Sequence, residues 1–597
     1  MTFSNFSRFL FLALFFWACN PAETSKSFRF DTTFETSKGT ETATYEEVIE
    51  FYLALSRSFS SINVQTIGQT DSGYPLHLVT YNPDGEFNFS KIRESKSVLL
   101  INNGIHPGES DGIDATMMLF RDLATAVLES PENVVLATIP VYNVGGMRNR
   151  NATSRANQNG PLEYGFRGNA RNYDLNRDFI KMDSENAKTF AQIFHLVKPA
   201  VFIDNHVSNG ADYQYTLTHL FTQHNKLGGA SGAYLHNSLM PKLEAGLAKA
   251  AWDITPYVNV FNRSPESGFS QFHDHPRYST GYTTLWNTLG MMVETHMLKP
   301  YKQRVEGTYA LMKTMLDIVE QDHETIVGNQ EEDRKRNLAL TQYHLNWQKD
   351  TTRHSSLQFK GFKVDTLTSK VTGLPRLKYD RDKPFTKTVR YDNYEIPLDT
   401  IEVPAAYVIK KAWSDIIERL SANAISFYPI PQDTSLRVQS YRIADYGTSS
   451  RAYEGHYLHY NTTVETNEKS VFFEAGDILV PLDQEGARYL LETLEPNAPD
   501  SFFNWNFFDT ILQQKEGFSP YVFEDVAATM LEDDPELQAA FSAKRATEPE
   551  FAANWYAQLD YLFKRSKHYE SAHLQYPIYR IVDKDLTAGL LSKWSLR

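Results

Sequence analysis

The chain has 597 residues, 41% of them hydrophobic and 13% aromatic. That is enough apolar side chain for more than one core, because single cores stop growing near roughly 250 to 300 residues. A formal charge of −14, from 73 acids against 59 bases, excludes a general nucleic-acid binder, which would concentrate Lys and Arg. The single cysteine, Cys19, excludes disulfides within the chain.

The N-terminus reads MTFSNFSRFLFLALFFWACNPAETSKS: one basic residue, Arg8, then an apolar run from Phe9 to Ala18 that is too short to span a bilayer. This pattern predicts an export signal over residues 1–19. Cys19 follows the small residue Ala18 and precedes a polar stretch, an arrangement that resembles a bacterial lipoprotein signal. The resemblance implies a lipid on Cys19 and attachment to a membrane of the cell envelope, facing the periplasm or in the outer membrane. An ordinary cleaved leader, releasing a secreted protein, is the other reading, since Phe16 and Trp17 fit a lipoprotein cleavage box imperfectly.

Residues 20–40 are rich in Ser and Thr and are expected to form a tether that contributes no core. From Tyr45, TYEEVIEFYLALSRSF has helical spacing of apolar residues, and VQTIGQTDSGYPLHLVTYN alternates like a hairpin around Asp71-Ser72-Gly73. Strands are predicted at Ser97 to Asn102, Val134 to Tyr142, Ala200 to His206 and Gly290 to His296. Helices are predicted between them, in GIDATMMLFRDLATAVLES, SENAKTFAQIFHLVK and SLMPKLEAGLAKAAWDI, and after the last strand over residues 301–326. Strands alternating with helices of this length predict an α/β fold, a mixed central sheet with helices on both faces. A charged stretch, GNQEEDRKRNLALTQYHLNWQKD, closes this unit near residue 350. The first domain is thus expected over 41–350, and a second, mixed α/β accessory domain over 351–597. In the latter, YVIKKAWSDIIERL and YVFEDVAATMLEDD have helical spacing, and SLRVQSYRIADYG and KSVFFEAGDILVPL read as strands. The aromatic run PDSFFNWNFFD fits a buried core better than a partner surface.

Chemistry gathers at the predicted strand ends. In LLINNGIHPGESDGID an apolar strand stops and His106 and Glu109 follow, three residues apart across the turn Pro107-Gly108. Ligands commonly sit at the carboxyl ends of strands in open α/β sheets. A catalytic zinc takes three protein ligands from His and carboxylate, so a third is required. KPAVFIDNHVSNG supplies it, because His206 ends another apolar strand. His195, His219, His224, His236, His273 and His275 occupy no strand end and rank below it. Between these strands, RNYDLNRDF holds Asn176 and Arg177, a side-chain amide beside a guanidinium able to grip a carboxylate bidentately. In GMMVETHML, Glu294 is a carboxylate in an otherwise apolar strand, which is costly to bury unless it faces a polar cavity.

HPGE, LNRDF, DNH and VETH, in that order, resemble the zinc carboxypeptidases of the carboxypeptidase A type, and the likeness spans about residues 42–325. It implies one zinc ion per chain on His106, Glu109 and His206, with Glu294 as general base. It implies that Asn176 and Arg177 hold the terminal carboxylate of a peptide substrate. The family's second arginine falls on Arg155 by position, with Arg150 close by. Its mobile tyrosine falls on Tyr282 or Tyr278, the first preferred. Asp178 departs from the family pattern and places a negative charge beside the Asn-Arg pair. The activity implied is hydrolysis of C-terminal peptide bonds by a zinc-activated water. An amidase or deacylase on the same scaffold and a non-catalytic binding lipoprotein are the alternatives; the oligomeric state is left open.

Overall fold

The structure, a computed structural model, describes residues 30–594; the expected signal and Cys19 lie outside the described residues. No helix among the described residues is long and apolar enough to cross a membrane.

Nine strands belong to the first unit: β1 Ile62–Gln69, β2 Pro75–Tyr81, β3 Ser97–Asn102, β4 Val134–Ile139, β5 Val201–Ser208, β6 Leu217–Phe221, β7 Ile254–Pro256, β8 Phe269–Ser270 and β9 Leu289–His296. All but β8 form one mixed sheet in the order β1-β2-β4-β3-β5-β9-β6-β7. β4, β3, β5 and β9 run parallel; β2 is antiparallel to β1 and β4, and β6 is antiparallel to β9 but parallel to β7. β3 and β4 are buried at every position, so SVLLIN and VVLATI need no alternation: both faces are covered.

One face packs under the helices Tyr45–Ser58, Asp111–Ala124 and Tyr301–Leu338. The tether is corrected over its described part. Thr32 and Glu35 close a capping box on the turn Thr33–Thr36, and the Phe34 ring is buried edge-on against Tyr301, 5.8 Å away. Core therefore begins before Tyr45. The last of these helices is also longer than its apolar pattern, 38 residues, and absorbs half of the charged stretch. Glu331 pairs with Arg334 and Lys335, three and four residues on. Buried Asp333 accepts from the backbone N–H groups of Ala230 and Ser231.

The other face of the sheet packs on the helix Glu185–Val197 and then directly on the C-terminal unit. One continuous core runs from Leu100, Ile139 and Phe202 through Phe190 and Tyr282 to Tyr407, Leu490 and Phe508. The C-terminal strands are β10 Gln342–Lys349, β11 Ser355–Thr368, β12 Pro375–Asp392, β13 Glu395–Glu402, β14 Ala406–Ile409, β15 Tyr428–Pro429, β16 Thr434–Thr448, β17 His459–Phe473, β18 Ile478–Pro481 and β19 Gln575–Ile581. They form a β10–β13 pair, a β11–β12 hairpin whose edge pairs with β8, and a six-stranded sheet β15-β18-β14-β19-β16-β17. YVIKKAWSDIIERL divides into buried strand β14 and the helix Ser414–Ala422, because Tyr407, Val408 and Ile409 are enclosed between β18 and β19. The aromatic run is core: Phe502, Phe503, Trp505 and Phe508 are fully buried.

Candidate active site

β3, β5 and β9 are parallel neighbours, so their carboxyl ends open at one edge of the sheet. His106 and Glu109 lie on the turn that leaves β3, closed by the Glu109 N–H donating to the His106 carbonyl at 2.7 Å. Gly108 is required there by a close approach, since a Cβ would come within 2.3 Å of Arg155 Nε. His206 is in β5, and Glu294 is its direct partner in β9.

His106, Glu109 and His206 are buried, and each offers a ligand atom, all within 4.8 Å of one another; among the described residues no other group of three His, Cys, Asp or Glu does so. Both imidazoles turn Nδ1 inward. His106 Nδ1 is 3.2 Å from Glu109 Oε1, and His206 Nδ1 is 3.1 Å from Glu109 Oε2. Both outer nitrogens are held by carboxylates, His106 Nε2 by Asp174 at 2.9 Å and His206 Nε2 by Asp204 at 2.9 Å. This is the arrangement that fixes ring orientation and raises ligand basicity at metal centres. His106 Nδ1 is a buried polar atom with no hydrogen-bond partner, as expected of a group whose partner is a metal. Two imidazole nitrogens and a carboxylate suit zinc and leave a position for water, so the residues fit one zinc ion.

The charges are interlocked. Burial pushes the Glu109 carboxyl up, but Arg155 and His106 outweigh it and hold it well below the usual carboxylate range. Burial likewise opposes ionisation of Asp174, yet His106, Arg167 and Arg177 hold it well below the usual range. His206 is desolvated, but Asp204 and Glu109 raise it well above an ordinary histidine. Glu294 differs from the other carboxylates. Burial raises it to about 7, with only partial relief from His206, and it makes no ion pair. A carboxyl with that affinity for protons, facing a cavity, is suited to proton transfer.

The cavity holds about 260 Å³ and is lined by the metal cluster, Glu294, Arg167, Asn176, Arg177, Tyr257 and Tyr278, with Leu220, Phe261, Phe272 and Met292 as apolar wall. Asn176 and Arg177 sit in a short turn, Leu175–Arg177, capped by Asp174, whose Oδ1 accepts from the Asn176 N–H at 3.0 Å. Asn176 Oδ1 accepts from the Ser279 N–H at 3.2 Å, and the Arg177 guanidinium lies over the Tyr278 ring at 4.6 Å.

Three expectations are corrected. Tyr282 does not reach the cavity: it is fully buried in the core, its hydroxyl donating to Asn423 Oδ1 at 2.7 Å, because it lies one helical turn beyond Tyr278 and points into the C-terminal unit. Tyr278 takes the place at the cavity. Arg155 is committed to Glu109 at 2.6 Å and is not part of the cavity wall, and Arg150 donates to backbone carbonyls of Thr42, Ala43 and Glu163. Arg167 faces the cavity instead, held by Asp174 at 2.8 and 3.0 Å and 3.6 Å from Glu109. Asp178, expected to charge the Asn-Arg pair, turns away. It accepts from Lys181 Nζ at 2.7 Å and from the backbone and hydroxyl of Ser184.

Asp204, Asp174, Arg167 and Tyr257 had no place in the sequence reading. Asp204 carried a signal, because it stands two residues before His206 on a strand and so shares its face. Asp174, directly before Leu175-Asn176-Arg177, carried one as a turn cap. Arg167, in GFRGNARNY, carried none that spacing could supply.

The model of the family described as zinc carboxypeptidase matches residues 48–199. The "Carboxypeptidase 2" of Trichophyton rubrum is 22% identical over 491 residues, covering 78% of this chain and 84% of that protein, and that of Trichophyton equinum is equally similar. Among solved structures, the carboxypeptidase A of Helicoverpa armigera is 14% identical, covers 47% of this chain and 74% of its own, and has a TM-score of 0.36. A metallo-carboxypeptidase of Burkholderia cenocepacia is 16% identical, covers 47% and 70%, and has a TM-score of 0.34.

Proposed function

We propose that this chain, whose residues 48–199 match the zinc carboxypeptidase family model, is a zinc metallocarboxypeptidase that removes C-terminal residues from peptides, with Glu294 as general base. The observation that carries this reading is the cavity itself, where a two-histidine, one-carboxylate cluster, an unpaired carboxyl and two guanidiniums share one wall. His106, Glu109 and His206 would hold a zinc ion, which would supply Lewis acidity for a carbonyl and for water there.

The chain's own groups do the rest. Arg177, a charge-assisted donor, takes the terminal carboxylate together with the Asn176 amide, which orients the scissile bond toward Glu294. Glu294 accepts the proton of the attacking water and returns it to the leaving nitrogen; its raised affinity for protons suits it to both. Arg167, fixed by Asp174, faces the place where charge develops on the carbonyl oxygen. Tyr278, stacked by Arg177, closes the substrate side. Export, with lipid attachment at Cys19, would put this activity in the cell envelope, where peptides are scavenged or remodelled.

The test is incubation of zinc-loaded protein with a mixed peptide library and mass spectrometry of the products. Release of single C-terminal amino acids is expected. Cleavage confined to blocked C-termini or to acyl groups would overturn the reading. For the anchor, Cys19→Ala should move the protein from the detergent phase to the aqueous phase; wild-type protein already in the aqueous phase would exclude lipidation.

A further inference from the structure

The two loops that carry the substrate-side groups, residues 173–179 and 277–279, are each gripped by one buried or half-buried carboxylate from the C-terminal unit. Asp500, fully buried, accepts from the Arg277 N–H at 2.8 Å and from the Arg277 guanidinium at 2.7 Å, and from the Trp505 indole at 3.2 Å. Arg277 directly precedes Tyr278, and its carbonyl accepts from the Phe179 N–H at 3.4 Å, so the grip extends to the loop of Asn176 and Arg177. Glu454 Oε2 accepts from the Asp174 N–H at 2.8 Å, at the residue that holds His106, Arg167 and the turn of Arg177 together.

Glu454 is placed there at a conformational cost. It has φ +49°, a left-handed value that a side chain other than Gly or Asn adopts at an expense of the order of 1 kcal/mol or more. The surrounding turn over-determines that conformation: Tyr453 and His456 exchange backbone hydrogen bonds at 2.7 and 3.0 Å, a Cβ at Gly455 would come within 3.3 Å of the Tyr173 ring, and His456 Nε2 binds Asp183 at 2.7 Å. Strain of this kind persists where the fold needs a group at one point, and the point here is the backbone of the loop that carries Arg177.

Resting on the carboxypeptidase reading, we propose that Glu454 and Asp500 are positioning residues for recognition of the substrate's terminal carboxylate, so that the C-terminal unit completes the substrate site. Neither lines the cavity; each acts through Asp174, Arg177 or Tyr278. The metal cluster hangs on strand ends of the first unit, and of its ligands His106 is linked to Glu454 through the Asp174 carboxylate, which Glu454→Ala leaves in the chain.

The experiment uses the full-length, zinc-loaded protein and matched peptides ending in a free acid or an amide. Glu454→Ala should raise KM for the free acid on the order of five- to tenfold, the effect of one lost hydrogen bond of ordinary net strength, with zinc content and KM for the amide unchanged. Glu454→Gln should recover most of the loss, because its amide oxygen still accepts from the Asp174 N–H. Asp500→Asn should act in the same direction as Glu454→Ala. Wild-type KM in Glu454→Ala, or an equal loss on acid and amide, would overturn the proposal. If wild-type enzyme itself did not distinguish acid from amide, the carboxypeptidase reading would fall. Hydrogen exchange would then decide the positioning role alone: faster exchange at the Asp174 amide in Glu454→Ala supports it and unchanged exchange overturns it.

Discussion

The metal side of the site and its proposed substrate side are built by different means. His106, Glu109 and His206 stand on or just beyond two adjacent parallel strands whose hydrogen bonding fixes their separation, and Asp204 is on one of those same strands. Asn176, Arg177 and Tyr278 stand on loops, and those loops take their places from contacts with residues more than two hundred positions away. Strand ends give a site a rigid base, whereas loops need outside anchors. Substitutions on the first side should therefore change zinc content or turnover, and substitutions on the second should change recognition.

The largest expected effect breaks chemistry without touching either scaffold. Glu294→Gln should keep its zinc and lower kcat by roughly 10²- to 10⁴-fold, the range for a positioned base; elemental analysis beside turnover checks it, and a variant without zinc would contradict the role. The sign with pH follows. Only ionised Glu294 can accept a proton, and burial raises its pKa to about 7 in the metal-free protein. Activity should rise with pH along an acid limb whose midpoint lies at or below that value once the zinc charge is present. The residual activity of Glu294→Gln should lack that limb.

Asp174→Asn probes the seam between the two sides, since one carboxylate orients His106, pairs with Arg167 and caps the Arg177 turn. Zinc affinity should weaken about 10- to 100-fold, the loss typical for a partner of a ligating histidine, as measured by competition with a chelator. An unchanged affinity would mean that the two sides are independent at this point. Arg177→Lys keeps the charge and loses the planar fork, so binding of free-acid substrates should weaken by about 1 to 2 kcal/mol. Zinc content should stay constant, and amidated substrates should be unaffected.

The smallest effects separate two tyrosines one turn apart. Tyr278→Phe should alter kcat or KM a few-fold with little change in stability. Tyr282→Phe should leave kinetics alone and lower stability by about 1 kcal/mol, because Asn423 Oδ1 loses its buried donor. Kinetics and thermal unfolding of the pair check this; the reverse pattern would return the catalytic role to Tyr282.

By itself the sequence determined the four parallel strands at the centre of the sheet and the metal cluster. SVLLIN, VFIDNHVS and LGMMVETH are local apolar runs with an interrupting polar residue at or near the end, and both the strand and the chemistry are written in consecutive residues. What only the tertiary structure decided is which of several similar groups near in sequence face the cavity. Arg150, Arg155 and Arg167, or Tyr278 and Tyr282, differ little in local pattern; the carboxylates and carbonyls that capture the wrong ones, and the Asp174 that presents Arg167, come from other segments. The expected boundary near residue 350 is of the same kind, since one core runs across it. A change in local composition is visible there, but the apolar face of the first sheet is covered by Tyr407, Leu490 and Phe508, and no short window of sequence records which distant face a side chain will bury.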